Sequence, residues 1–362
     1  MRRLLMIILA LSAIQMAALG QSDDVFYVEA SKLTLTGKLF YDTPNPYHRV
    51  DTIKYKGFTD EENQQVRMSS GIACLFRTDS EFIQIKADYE YFGDRNNTGG
   101  ISTKGYDLYI RENGKWVWAA AGISDKINRG KSYSLITDMD GSEHECLLYL
   151  PLYSELNSVK IGVQRGSVIE PLETPFRHRV AVFGSSLTHG AGTSRAGMTW
   201  PAIFTRNTGI QMLSLGCSGN CKMQSYFCKV LCEAHDIDAF LFDSFSNPNE
   251  RLIKERLFPF IEELQKAHPG KPLIFQIPVR RPNMNFNTRS NRIHTSKNDY
   301  AASLMKVACK KYKDVYVLYP SVDHQYYQAT VDGKHFDNYG YVTWEQSIRE
   351  DILEILAKYN IK

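Results

Sequence analysis

With 362 residues, 43% hydrophobic and 23% charged, the chain has globular composition and enough length for two cores of ordinary domain size. Its formal charge is +3, two charges of which belong to Arg2 and Arg3, so the balance gives no support for a nucleic-acid partner.

Residues 1–20 begin with Arg2 and Arg3, continue through the apolar run Leu4 to Leu11 and finish in Ala18-Leu19-Gly20 ahead of Gln21. This is the pattern of a signal peptide, and export to a periplasmic or extracellular space is expected. A buried helix or a membrane anchor fits less well, because the apolar run is short and Ser12 and Gln15 interrupt its continuation. No cysteine stands at the cleavage site to take a lipid, and no later stretch approaches the roughly 20 apolar residues that span a bilayer.

From Phe26 to about Ile169 the pattern is short alternating runs rich in Val, Ile, Tyr, Phe and Thr, separated by turn residues such as Asp94-Arg95-Asn96-Asn97 and Asn113-Gly114. Phe82 to Lys86, Tyr106 to Ile110, Lys115 to Trp118 and Val159 to Val163 read as strands. An all-β sandwich or jelly roll over residues 21–172 is expected. Trp116 and Trp118 lie two apart on one such strand. They could offer a sugar-stacking platform, but one face of a strand is as readily core.

The polar, proline-bearing stretch Glu170 to Pro175 reads as a linker. Five apolar strands follow, at Val180 to Phe183, Gln211 to Leu215, Ala239 to Asp243, Pro272 to Pro278 and Val315 to Tyr319. They alternate with helical segments at Pro201 to Thr208, Met223 to Ala234, Glu250 to Ala267, Asp299 to Lys313 and Thr343 to Lys358. Continuous apolar strands separated by amphipathic helices predict an α/β domain over residues 177–362, a parallel sheet covered on both faces. Ligands of such sheets bind beyond the carboxyl ends of the strands.

Seven cysteines are an odd number, so a complete internal disulfide framework is excluded. Cys217, Cys221, Cys228 and Cys232 cluster without the paired C-x-x-C spacing of structural zinc sites, and packing as small apolar groups is the simpler reading.

Chemistry-bearing residues stand directly after the strands. Gly184-Ser185-Ser186-Leu187 after the first can expose a serine hydroxyl and backbone N–H groups, although serine and glycine also make ordinary turns. Gly216-Cys217-Ser218-Gly219-Asn220 follows the second and Asp243-Ser244-Phe245-Ser246-Asn247-Pro248-Asn249 the third. They supply a glycine for close approach and an asparagine amide suited to an oxyanion. Near the C-terminus, Asp332-Gly333-Lys334-His335 lets a carboxylate reach Nδ1 of the ring across a tight turn, leaving Nε2 to take a proton. A plain helix-entry loop has the same composition. Asp323-His324 is a rival pair whose adjacent side chains point apart. Arg280, Arg281, Arg289 and Arg292 follow the fourth strand. They could offer cations to an acidic sugar or phosphate, or form a solvated loop.

With these blocks in order, the sequence resembles the SGNH hydrolases, the GDSL-type esterase and lipase family. Ser186 matches the nucleophile and Ser185 stands where the family name has aspartate. Gly219 matches the second-block glycine, and Asn247 the third-block asparagine, with Asn249 a competitor because the block departs from G-x-N-D. Asp332 and His335 match the closing D-x-x-H. Gly105-Tyr106-Asp107-Leu108-Tyr109 is similar to the G-x-D-L-Y signature of a β-sandwich module that precedes such hydrolases. The resemblance implies a three-layer α/β/α sandwich of flavodoxin type with five parallel strands. It also implies a Ser186–His335–Asp332 triad, an oxyanion hole from the Ser186 and Gly219 N–H groups and the Asn247 amide, and no cofactor or metal. The expected substrate is a small-molecule or oligosaccharide ester, above all an O-acetylated carbohydrate. A lipid-directed esterase and a non-catalytic glycan-binding protein are the alternatives.

Overall fold

The computed structural model describes residues 24–123, 131–322 and 328–362. The expected signal peptide and the Asp323-His324 pair lie outside the described residues.

The first half is a sandwich of antiparallel sheets. Strands β1 (Val25–Glu29), β9 (Ser154–Gln164), β4 (Ile83–Phe92) and β7 (Ser132–Ile136) form one in that order. The other runs β10 (Ile169–Pro171), β3 (Ala73–Thr78), β8 (His144–Tyr149), β5 (Tyr106–Glu112) and β6 (Lys115–Gly122), with β2 (Thr34–Thr36) paired to β3. The alternation that predicted strands is the one that builds the core: Ile83 and Ile85 are buried against Leu148 and Ile161, while Lys86 faces outward. The Asn113-Gly114 turn takes positive φ at both residues, as a tight hairpin between β5 and β6 requires. The stretch read as a linker first enters the sheet, because Ile169–Pro171 pairs with β3.

A helix that periodicity did not reveal, α1 (Asp60–Arg67), opens on a capping box in which Thr59 and Glu62 bond each other's backbone N–H. It has no apolar stripe to detect. Its buried Glu62 instead accepts hydrogen bonds from Gln224 Nε2 (2.7 Å) and Tyr226 OH (2.9 Å) of the second half. A short α2 (Gly100–Lys104) precedes β5.

In the second half β11 (Arg177–Gly184), β12 (Ile210–Gly216), β13 (Ala239–Asp243), β14 (Leu273–Gln276) and β15 (Val315–Leu318) form a fully parallel sheet in the order β12-β11-β13-β14-β15. Around it lie α3 (Ser186–His189), α4 (Trp200–Thr208), α5 (Ser225–Cys232), α6 (Glu250–Ala267), α7 (Thr288–Lys311) and α8 (Asn338–Ala357). Helices α4 and α8 cover one face with Trp200, Phe204, Trp344 and Ile348; α5, α6 and α7 cover the other with Phe227, Phe260, Ile261 and Met305. Each such side chain, fully buried, contributes about 1.5–3 kcal/mol. Helix α7 starts at Thr288 rather than Asp299, because Asn287 caps a first stretch that is polar and exposed and so carries no apolar period. Helix α8 likewise starts at Asn338, capped by Asp337, rather than at Thr343.

The halves share packing. Leu39, Phe40, Val50 and Val66 belong to the same apolar cluster as Leu213, Leu215 and Phe227. Buried Arg49 donates to Met68 O (2.9 Å) and to Gly216 O (2.8 Å), tying the first half to the carboxyl end of β12. The G-x-D-L-Y segment acts at the same junction: the buried Asp107 carboxylate accepts from Arg195 Nε (3.1 Å), Gly197 N (2.8 Å) and Trp118 Nε1 (3.1 Å). Burial pushes that carboxyl up to about 6 against the pull of Arg195. Trp118 is thus tied to Asp107, and Trp116 packs against Phe176.

Candidate active site

In register, Gly184 of β11 sits between Gly216 of β12 and Asp243 of β13, so three strands end side by side and their loops leave from one edge. Gly184 must be glycine, because a Cβ there would lie 2.0 Å from Thr188 Oγ1. The turn it permits places Ser186 at the first position of α3, with its side chain mostly buried. Ser185 caps that helix through Leu187 N (3.2 Å) and donates its hydroxyl to Asp243 Oδ2 (2.6 Å), which also accepts from Ser185 N and Thr188 Oγ1 (both 3.1 Å). The departure from aspartate at position 185 therefore has a physical counterpart. The carboxylate of this corner is Asp243, and a second one at 185 would face it.

His335 Nε2 lies 3.0 Å from Ser186 Oγ, and its Nδ1 lies 2.7 Å from Asp332 Oδ2. The D-x-x-H turn is set by Gly333, at φ 77°, and by Asp332 Oδ1, which accepts from the N–H groups of Lys334 (2.9 Å) and His335 (2.8 Å). Because Nδ1–H donates to Asp332 Oδ2, Nε2 is left as the acceptor facing serine.

Sequence reasoning missed Asn97, which had been read as part of a turn. Its Nδ2 donates to Asp332 Oδ2 at 3.0 Å, so the β-sandwich reaches the histidine–aspartate pair directly. Thr98 orients that amide: its hydroxyl donates to Asn97 Oδ1 (3.2 Å) and accepts from Gly192 N (3.0 Å). Only an asparagine in a polar turn was visible in the sequence, with nothing to mark its partner.

Burial alone would raise the Asp332 carboxyl pKa. Hydrogen bonds from Asn97, the His335 ring and two backbone N–H groups outweigh it and hold the carboxyl well below the usual range. For His335, burial lowers the ring pKa, Asp332 opposes the fall, and Arg281 and Arg95 add to it; the net shift is downward.

The Ser186 and Gly219 N–H groups have no hydrogen-bond partner among the described residues, and Gly219 takes φ 75° in the loop after β12. Asn247 Oδ1 accepts from Cys221 N (3.1 Å), which fixes the amide with Nδ2 as its remaining donor. Asn249 is exposed and caps α6, its Oδ1 accepting from Leu252 N at 2.9 Å. The two asparagines thus differ in kind.

Ser218 forms a second serine–histidine contact, 3.3 Å from His189 Nδ1, but the pair is buried beneath Tyr153, whose OH is 2.9 Å from Ser218 Oγ. His189 donates Nε2–H to Leu152 O (2.8 Å), and burial keeps it neutral. Of the four arginines after β14, Arg289 and Arg292 are exposed, whereas Arg281 lies within reach of the charges on Asp243, Asp332 and His335. All seven cysteines are free thiols; Cys217, Cys221 and Cys228 pack in the apolar core. No helix among the described residues is long and apolar enough to cross a membrane.

A parallel sheet in flavodoxin order, with a serine turn, two further loops and a D-x-x-H turn at its carboxyl edge, is the arrangement that the resemblance to the SGNH hydrolases implies. The GDSL-like lipase/acylhydrolase family matches residues 177–353, and the G-x-D-L-Y N-terminus of SGNH-hydrolase-type esterases matches residues 25–169. A chain from Bacteroides ovatus ATCC 8483 described as a GDSL-like lipase is 34% identical, with a TM-score of 0.88 over 92% of this chain and 98% of that one. This chain belongs to the GDSL-like lipase/acylhydrolase family and is an esterase of the SGNH type. The same fold is found in the salicylyl-acyltransferase SsfX3 of a tetracycline biosynthetic pathway (16% identity, TM-score 0.64, 93% and 96% of the two chains). It is found again in a family two carbohydrate esterase from Cellvibrio japonicus (10% identity, TM-score 0.58, 92% and 98%). No curated protein matches this chain.

Proposed function

We propose that the protein is an exported carbohydrate O-acetyl esterase in which Ser186 is the nucleophile, His335 the general base and Asp332 its orienting carboxylate. The observation that carries this reading is the continuous relay Ser186 Oγ to His335 Nε2 (3.0 Å) and His335 Nδ1 to Asp332 Oδ2 (2.7 Å). Nε2 takes the Ser186 proton as Oγ attacks the ester carbonyl, and the imidazolium gives that proton to the leaving alcohol. Water, activated by the same ring, then releases the acid. The Ser186 and Gly219 N–H groups and Asn247 Nδ2, being uncommitted to other partners, are the donors for the oxyanion. Export rests on the residue pattern of positions 1–20, and the two-domain division at residues 172–177 on the change from antiparallel to parallel sheet.

Short acyl groups are expected because the connections Ser244 to Glu250 and Arg280 to Lys297 are polar, with only scattered aromatics. An acyl-chain channel would make affinity climb by about 0.8 kcal/mol per buried methylene. Hydrolysis of 4-nitrophenyl acetate should exceed that of the octanoate, and acetate should be released from an acetylated oligosaccharide. A preference for octanoate with no acetate released from any glycan would move the assignment to lipid esters.

The pH profile follows from the downward shift of His335. The base works only when neutral, so kcat/KM falls as pH drops through the ring's pKa, and the midpoint of this acid limb should lie below the ordinary imidazole value of about 6.5. Arg95→Gln removes one of the cations opposing ring protonation, so it should move the limb toward higher pH. A wild-type midpoint above about 6.5 would contradict the assignment of His335.

A further inference from the structure

We propose that this site recognises an anionic group, a carboxylate or sulfate, carried by its ester substrate, with Arg95 and Arg281 as the recognising cations; the inference rests on the triad reading above. The two side chains come from opposite halves of the molecule. Arg95 stands two residues before Asn97, in a turn closed by a bridge to Thr98, and its guanidinium stacks 4.4 Å above the Tyr153 ring. That ring is itself fixed, lying 4.1 Å from the His189 ring with its OH on Ser218. Arg281 stands two residues before Asn283, whose N–H donates to Gly333 O (3.0 Å) inside the D-x-x-H turn. Both guanidinium groups are thereby built into segments that hold Asp332 and His335.

Both arginines are partly buried and neither forms an ion pair among the described residues, Asp243 and Asp332 acting on Arg281 only at longer range. The two carboxylates of the region are already engaged: Asp243 by Ser185, Thr188 and Ser246, and Asp332 by Asn97, His335 and the backbone of its own turn. Against them stand Arg95, Arg281, Lys334 and Lys297, with His294 beside them. Lys297 is buried, with its Nζ on Ser246 O at 2.8 Å, and its pKa is lowered to about 8 by burial and then by Arg281. Arg281 is desolvated, and the carboxylates nearest it, Asp243 and Asp332, are committed to other donors, so an incoming anion would give it a partner of its own. The planar guanidinium fork suits an oxyacid group better than it suits sugar hydroxyls. Both arginines also act electrostatically on His335, the ring that faces Ser186.

The test compares kcat/KM for three acetylated methyl glycosides, a glucuronide, a glucose sulfate and a neutral glucoside, with 4-nitrophenyl acetate as control. Binding of the same sugars to Ser186→Ala protein is measured in parallel. Charge-assisted hydrogen bonds of about 1.5–3 kcal/mol predict a preference of roughly tenfold or more for the glucuronide or the sulfate, in rate and in binding. The preferred arm tells carboxylate from sulfate. The ratio should fall with added salt and collapse toward one in Arg95→Gln and in Arg281→Gln. Equal or better handling of the neutral glucoside, or a ratio unchanged in Arg95→Gln, overturns the inference. Failure to hydrolyse nitrophenyl acetate would instead sink the triad reading, and the binding arm still decides the anion preference.

Discussion

Replacement of Ser186 by Ala should lower ester hydrolysis by roughly a factor of 10⁶, the scale on which nucleophile removal acts in serine triads, while the fold is retained. Ser186 makes its side-chain hydrogen bond only to His335, whose ring is partly exposed, so its loss leaves no group stranded in the core. The cap of α3 comes from Ser185, not from Ser186. Labelling by a fluorophosphonate should vanish in the same variant. The measurement has a built-in rival, since Ser218 and His189 form another serine–histidine pair in the same half. Their burial under Tyr153 and the engagement of His189 Nε2 by Leu152 O predict no label there. A Ser186→Ala protein that keeps most of its activity, or a label on Ser218 or Ser185, would refute the proposed nucleophile.

The second large effect is expected at Asn247. Its amide is held by Cys221 N with Nδ2 left as a donor, so Asn247→Ala should lower kcat by about 10² to 10³ with a smaller change in KM, as for a donor used mainly in the transition state. The Ala variant also leaves the Cys221 N–H unpaired. Asn247→Asp separates the two roles, because it keeps the acceptor for Cys221 and replaces the donor by a charge that repels the oxyanion; its kcat should fall at least as far. Asn249→Ala removes a helix cap and should cost about 1 kcal/mol of stability with little change in kcat. Thermal unfolding and steady-state kinetics on the three variants test this, and a larger kcat loss at 249 than at 247 would shift the donor by two residues.

Much of this was legible in the sequence because it is local. The strand Ala239–Asp243 and the helix Glu250–Ala267 have the bounds that apolar period and capping residues imply. The D-x-x-H turn needs only four consecutive residues to bring Asp332 onto His335, and a positive φ at Gly333 that the glycine itself announces. Serine, glycine and asparagine directly after three strands could be expected at one edge, since parallel strands all end on the same side. The family resemblance put the third-block asparagine at 247, but no local signal separated it from Asn249, because both are short amides in a polar loop. What distinguishes them is a cap at Leu252 N and a contact with Cys221 N, the latter made across two loops.

Only the tertiary structure decided what the β-sandwich does at the site. Asn97 meets Asp332 across 235 positions of chain, and Arg95 lies above Tyr153 at the same junction. Helix α1 was invisible for a related reason: apart from Val66 the face it buries is polar, and the partners of Glu62, Gln224 and Tyr226, belong to the other half. Periodicity reports burial of apolar faces against a core. It carries no signal for polar groups whose partners are fixed by distant chain, and such groups, beside the shared apolar cluster, join the two halves here.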